Sequence, residues 1–224
     1  MLGTLYVVAT PIGNLKDITA RALETLKVMD VIYAEDTRVS LKLLTHYGLH
    51  ISIKRYNEHA PQSTAEEVVR RLQNGEQVAL VSDAGTPGIS DPGSVLVATV
   101  QNALPGARII AIPGASAVVA ALSVSGLAAN HFTFFGYPPM KNKRNKYFKE
   151  LKTIPVRPVV FYESPHRLGR TLEELSEVFG ADYQIFIAKE LTKIHETNFR
   201  GTVAEAREYF VGDHGKGEFV IIIP

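Results

Sequence analysis

Short apolar runs of strand character alternate with helical stretches through the first 112 residues, and nearly every strand-like run ends in a conspicuous break. LYVVA (5–9) stops at TPIGN (10–14), VIYA (31–34) runs into EDTR (35–38), and EQVALV (76–81) opens onto SDAGTPGISDPG (82–93). ISIKRY (51–56) and ARIIAI (107–112) complete the strand set. Between them, ITARALETLKVMD carries Ala22, Leu23, Leu26 and Met29 at helical spacing, and SLKLLTHYG and SVLVATVQNAL also read as helices. In STAEEVVRRLQNG, Ser63 stands three residues ahead of Glu66, the spacing of a capping box, and Gly75 closes the stretch. Strands joined through intervening helices predict an α/β fold with a largely parallel sheet, covered on both faces.

The segment 81–93, VSDAGTPGISDPG, is the densest break. Gly85, Pro87, Gly88, Pro92 and Gly93 exclude a regular element. Lying between a strand and a helix, it occupies the carboxyl end of the strand, where open α/β sheets bind ligands. Glycine permits close approach of backbone and ligand, while proline holds the loop's shape beforehand. Asp83 and Ser82 add acceptors, and Asp91 or Ser90 is placed to cap the following helix. The alternative for Asp83 is merely to tie up loop amides.

At 224 residues the chain suits two domains of about a hundred residues each. AIPGASA (111–117), a second strand-to-loop-to-helix passage, marks the expected boundary between an N-terminal α/β domain (1–113) and a C-terminal one (114–224). Beyond it come the strand FTFFGYPP, a basic helix, PVVFYESPHR as strand into loop, the helix LGRTLEELSEVFG, YQIFIAKELTK as strand into charged loop, the helix VAEAREYF and the closing strand GEFVIIIP.

Several chemistries are disfavoured. Cysteine is absent, which removes disulfides, thiolate metal sites and a cysteine nucleophile. His46 and His50 flank Gly48, which ends the helix that would align them, so no metal site is expected. No G-x-G-x-x-G, Walker or G-x-S-x-G pattern occurs. LYVVA is too short and lacks the basic flank of a signal peptide, and AVVAALSV is too short to span a bilayer. A soluble cytoplasmic protein is expected. The net charge of +1 says nothing about nucleic acid, but Lys141, Lys143, Arg144, Lys146, Lys149 and Lys152 form a local basic cluster.

LYVVATPIGNLKDITARAL, AEDTR, VSDAGTPGISDPG, IPGASA, FYESPHR and KELTK follow one another in an order that resembles the bacterial small-subunit ribosomal RNA (cytidine-2′-O)-methyltransferases. These belong to the tetrapyrrole methylase superfamily of S-adenosylmethionine-dependent enzymes. Members commonly continue past the GEFV strand with a further small region. The resemblance implies two α/β domains with the cofactor cleft between them, usually in a homodimer, acting on ribosomal RNA or the small ribosomal subunit. By motif it implies that Asp83, Ala84, Gly85 and Ile89 contact S-adenosyl-L-methionine, with Ser116, Ala117 and Tyr162 adding contacts.

Methyl transfer to a ribose hydroxyl gains from alignment and from a base that takes the hydroxyl proton. The candidate bases are Asp36 and Glu35 in AEDTR, ranked ahead of His166 in FYESPHR, with Glu163 and Glu190 as further carboxylates. Arg38 and Arg167 are candidates to hold phosphate bidentately, the alternative being a salt bridge within each motif. Lys143, Arg144 and Lys146 are candidates for RNA backbone contact, the alternative being a solvated face. Competing functions are methylation of a tetrapyrrole or other small molecule, and a non-catalytic cofactor-binding ribosome assembly factor.

Overall fold

The computed structural model describes residues 1–57 and 62–224, and the chain divides into two compact units, Met1–Ser116 and Ala117–Pro224. In the first unit, β1 (Thr4–Val8), β2 (Val31–Ala34), β3 (Ile53–Arg55), β4 (Gln77–Val81) and β5 (Arg108–Ile112) form a sheet of order β3-β2-β4-β1-β5. Every pairing in it is parallel. The helices α1 (Ala20–Lys27), α2 (Thr37–His46), α3 (Gln62–Gln73) and α4 (Gly93–Ala103) provide the crossovers.

Strand alternation explains how both faces are covered. Val78 and Leu80 of β4 pack with Leu5 and Tyr33 against Val68 and Leu72 of α3 and Leu96 and Val100 of α4. Ala79 and Val81 point the other way, joining Val8, Ile32 and Ala34 against Ala22 and Leu26 of α1 and Leu44 of α2. With a period of two and both faces buried, the strands read as continuous apolar runs. Parallel pairing then puts the loops after β1, β2, β4 and β5 along one edge. Ser63 departs from expectation: it lies inside α3, so its spacing to Glu66 does not open that helix, and residues 58–61 just before it lie outside those described.

The second unit holds α5 (Ala117–Ser125), β6 (Thr133–Phe134), α6 (Arg144–Thr153), β7 (Val159–Glu163), α7 (Pro165–Phe179), β8 (Gln184–Lys189), β9 (Thr197–Thr202), α8 (Val203–Tyr209) and β10 (Phe219–Ile223). Its sheet has the order β6-β7-β10-β8-β9. Only β6 and β7 pair in parallel; β10 is antiparallel to both β7 and β8, and β8 to β9. The central β10 therefore reverses direction between two neighbours that run alike, and the loops after β6, β7 and β8 still meet at one edge. Phe161, Phe219, Ile221 and Ile223 fill the core beneath Phe148, Leu168, Leu172 and Val203, while α5 packs across β8, β9 and β10. The strand β9, TNFRGT, is absent from the sequence reading. It is an edge strand whose exposed and covered positions alternate through Asn198 and Arg200, so it lacks the apolar run that marks the others.

Among the described residues no helix is long and apolar enough to cross a membrane, and no group of three or more histidines and carboxylates gathers as a metal site.

Candidate active site

Three loops of the first unit are bonded to one another at the carboxyl edge of its sheet. Thr10, at the end of β1, exchanges two backbone hydrogen bonds with Gly85: Thr10 N donates to Gly85 O at 2.9 Å, and Gly85 N donates to Thr10 O at 3.1 Å. The Thr10 hydroxyl also donates to Ser82 O at 2.9 Å. From the β5 loop, Ala115 O accepts the Thr86 hydroxyl at 3.2 Å. Gly85 sits at φ +84°, and a Cβ there would lie 3.3 Å from Ile12 Cγ2 and 3.5 Å from Ala115 O. The loop is thus preformed around a glycine that no other residue replaces without strain. Ala84 and Ile89 are exposed on it, and Ser116 and Ala117 are half-buried beyond the β5 loop. Asp91 fastens its far end, its Oδ1 accepting from Gly88 N and Gly93 N, both at 2.7 Å. Asp91 therefore supplies the expected acceptor at the start of α4, and Ser90 does not.

Asp83 links this loop to the one after β2, its Oδ1 accepting from Asp36 N at 2.9 Å. Asp83 thus ties up an amide, but one of the neighbouring β2 loop. Asp36 in turn is the N-cap of α2, accepting from Arg38 N at 2.9 Å, and is gripped by the Arg38 guanidinium through Nε at 3.0 Å and NH2 at 2.5 Å. These hydrogen bonds hold its carboxyl well below the usual carboxylate range. A carboxylate so stabilised is a poor proton acceptor, which counts against Asp36 as base. Glu35 instead lines a hollow of ≈ 450 Å³ together with Tyr56, Asn57, Ser90, Asp91 and Val95. Asp91 Oδ2 is buried there with no hydrogen-bond partner among the described residues.

At the corresponding edge of the second unit, Glu163 terminates β7 with a fully buried side chain. Its Oε1 accepts from Ser164 N at 2.7 Å and pairs with Arg167 Nε at 2.8 Å; its Oε2 accepts the Thr171 hydroxyl. Arg167 also donates to Pro138 O at 2.9 Å and stands 5.7 Å over the Tyr137 ring. The structure so realises the intra-motif ion pair for Arg167, as it does for Arg38. The two differ in exposure: the Arg38 side chain is 85% exposed and that of Arg167 only 20%. An exposed guanidinium can meet a phosphate from solvent, whereas breaking a buried pair is costly. His166 is exposed on the first turn of α7. Tyr162 is half-buried between Phe134 and Tyr137, and burial pushes its phenol up to about 12.

Arg144 requires correction as a candidate for RNA contact. It is 2% exposed, donating to Glu174 Oε2 at 2.5 Å, the Thr171 hydroxyl at 2.8 Å and Pro139 O at 3.0 Å, with Glu163 Oε2 at 3.8 Å. The same helical turn that exposes Lys143 and Lys146 turns Arg144 toward α7. Neutralising Lys141, Lys143 and Lys146, all exposed, is therefore the proper test of this face. If each contacts a phosphate, the slope of log K against log salt should fall by about 0.7–0.9 per residue. Filter binding of RNA at several salt concentrations measures it; an unchanged slope reduces the cluster to a solvated surface.

Thr10 organises the first-unit loops yet stood outside the candidate residues, and Asp91 was foreseen only as a helix cap. The only signal for Thr10 was its place beside Pro11 at a strand end, because its partner lies 75 positions away.

Against known proteins, residues 4–207 match the family model of Tetrapyrrole (Corrin/Porphyrin) Methylases. The chain is 46% identical over 222 residues to ribosomal RNA small subunit methyltransferase I of Synechocystis sp., covering 99% of this chain and 79% of that protein. It is 45% identical over 225 residues to the protein of the same name from Haemophilus influenzae, covering 100% and 79%. Among solved structures it resembles a diphthine synthase with a TM-score of 0.74 at 16% identity, covering 98% of this chain and 88% of that one. That last likeness is one of fold.

Proposed function

This chain belongs to the tetrapyrrole methylase family, and on that premise we propose that it transfers a methyl group from S-adenosylmethionine to the ribose 2′-hydroxyl of a cytidine in small-subunit ribosomal RNA. The observation that carries this reading is 46% identity, over almost the entire chain, to a protein named for small-subunit ribosomal RNA methylation.

The residues fit the cofactor. Gly85 lets the loop pack against Ile12 and Ala115, where an added Cβ would press, Ala84 and Ile89 offer exposed apolar surface, and Asp83 provides a carboxylate beside them. Ser116, Ala117 and Tyr162 complete the proposed contacts. When bound, S-adenosylmethionine supplies an electrophilic methyl group on a sulfonium. The chain's own task is to place a hydroxyl in line with that methyl and to remove its proton. We assign the proton to Glu35, on the wall of the hollow beside the Asp83 loop, in preference to Asp36, whose carboxyl is held well below the usual carboxylate range and so is weakly basic. His166 remains the alternative base. Arg38 is placed to offer the solvent-facing side of its guanidinium to a substrate phosphate while Nε and NH2 keep Asp36. The same reading has the chain working in the cytoplasm as a homodimer, which light scattering on the purified protein tests.

Glu35→Gln should slow single-turnover methylation about 10²–10⁴-fold at saturating RNA with little change in RNA affinity, whereas Asp36→Asn should slow it much less. Equal and near-parental rates in both would remove Glu35 from the role. The reading as a whole is tested by incubating the protein and labelled S-adenosylmethionine with undermethylated small subunits, naked ribosomal RNA or a tetrapyrrole. Mass spectrometry of digested RNA should show 2′-O-methylcytidine. Label only in the tetrapyrrole, or in no acceptor, would overturn it.

A further inference from the structure

The KELTK motif is unused by the methyl-transfer loops, and it forms one wall of a second hollow of ≈ 510 Å³ within the second unit. Lys189, Glu190, His195, Asp213, His214 and Lys216 supply its polar lining. Its size falls in the range of about 300–1,000 Å³ common for ligand clefts.

The unusual member is Lys189. Only 8% exposed, its Nζ donates to the backbone carbonyl of Asp213 at 3.2 Å and, among the described residues, has no carboxylate as ion-pair partner. A buried ammonium with one neutral acceptor is costly unless something else compensates it. The carboxylates that line the hollow, Glu190 and Asp213, feel the Lys189 charge without pairing with it, and their hydrogen bonds go to other groups. Glu190 Oε1 accepts from Lys193 Nζ at 2.8 Å and from Glu218 N at 2.9 Å; Asp213 Oδ1 accepts from Lys216 Nζ at 2.6 Å.

The surrounding backbone is built for one shape. Glu190 and Thr192 are held at φ 52° and 66°, a left-handed region that non-glycine residues keep only where their surroundings over-determine it. The Glu190 ion pair and the bond from Thr192 N to Glu196 Oε2 at 2.6 Å do so here. Gly217, at φ +113°, passes so close that a Cβ would stand 2.5 Å from Glu190 Cγ. His195, His214 and Lys216 are exposed around the mouth, where they offer further donors.

We propose that this hollow binds a phosphodiester group of the substrate RNA, with Lys189 as its buried cation and Lys216, His195 and His214 as donors at the rim. The proposal rests on the reading of the chain as an RNA methyltransferase. Lysine holds phosphate as a point charge, and such a contact positions RNA without selecting sequence. Free phosphate shares that chemistry, so the test includes both.

The test uses the full chain, a labelled small-subunit RNA fragment and orthophosphate as competitor, with Lys189→Met and the surface double variant His214→Gln/Lys216→Gln. Lys189→Met should weaken RNA binding roughly tenfold at moderate salt and lower the slope of log K against log salt by about 0.7–0.9. Affinity for S-adenosylmethionine should be unchanged, and orthophosphate should displace RNA less effectively from the variant's remaining contacts. The double variant, altered only at exposed positions, should lower the slope in the same direction and keeps the proposal open to refutation if Lys189→Met does not fold. If the parent binds and methylates RNA while the folded variants keep its slope and affinity, the site is overturned alone. Orthophosphate binding lost in Lys189→Met with RNA binding intact marks a free-anion site and also overturns it. A parent that binds no RNA overturns the functional reading and this site together.

Discussion

Gly85→Val should abolish S-adenosylmethionine binding, by more than about 100-fold, while the protein remains folded. Gly85 lies at φ +84°, where an L residue costs roughly 1–3 kcal/mol, and a Cβ there already approaches Ile12 Cγ2 at 3.3 Å. Valine adds two further carbons beyond that Cβ. The strand-end bridge to Thr10 prevents the loop from drifting aside without losing two hydrogen bonds. Gly48→Ala is the control: at φ +65° with nothing within 4 Å of the added Cβ, it carries comparable backbone strain away from the loop. Calorimetric titration should find its cofactor affinity equal to the parent's, with both variants showing a cooperative thermal transition. Parental affinity in Gly85→Val would remove this loop from the cofactor site.

Glu163→Ala should destabilise the fold by about 3–5 kcal/mol. The carboxylate is fully buried between Arg167, Thr171, Ser164 and Arg144. Its removal leaves Arg144, 2% exposed, with Glu174 as its remaining acidic partner, and leaves Arg167 with none among the described residues. For a chain of this size, roughly 2–4 °C per kcal/mol translates the loss into a fall of about 6–20 °C in the unfolding midpoint. Arg38→Ala, which breaks a solvent-facing pair, should leave the midpoint nearly unchanged. A Glu163→Ala midpoint within about 2 °C of the parent would show that the carboxylate does not hold the two arginines. The burial that makes this substitution costly also makes Glu163 an unsuitable base: its oxygens are spent inside the fold, where substrate does not reach.

The contrast between AEDTR and FYESPHR shows where sequence reasoning stops. Both offer an arginine and a carboxylate just past a strand end, so their patterns are equivalent. Structure separates them because the Arg38–Asp36 pair lies on an exposed helix start, whereas α6 and α7 close over Glu163. The burial of Arg144 has the same origin. A run of basic residues on a helix reads as one charged face, yet successive residues point about 100° apart. One of them therefore turns inward wherever a neighbouring helix presents acceptors, and Glu174 and Thr171 on α7 are those acceptors.

What the sequence by itself determined is the local grammar of the first unit: apolar strands, helical crossovers and breaker-rich loops at the strand ends. Those signals lie within a dozen residues of one another, and parallel pairing converts them into one edge of converging loops. Only the tertiary structure decided the contacts that tie the loops together, because their partners are distant in the chain. Thr10 meets Gly85, Asp36 meets Asp83, and Thr86 meets Ala115. It also decided the second sheet, where β10 enters between β7 and β8 from the end of the chain and β9 pairs as a half-polar edge strand. Strand order and burial depend on which surfaces close over one another, and local propensity carries no record of that.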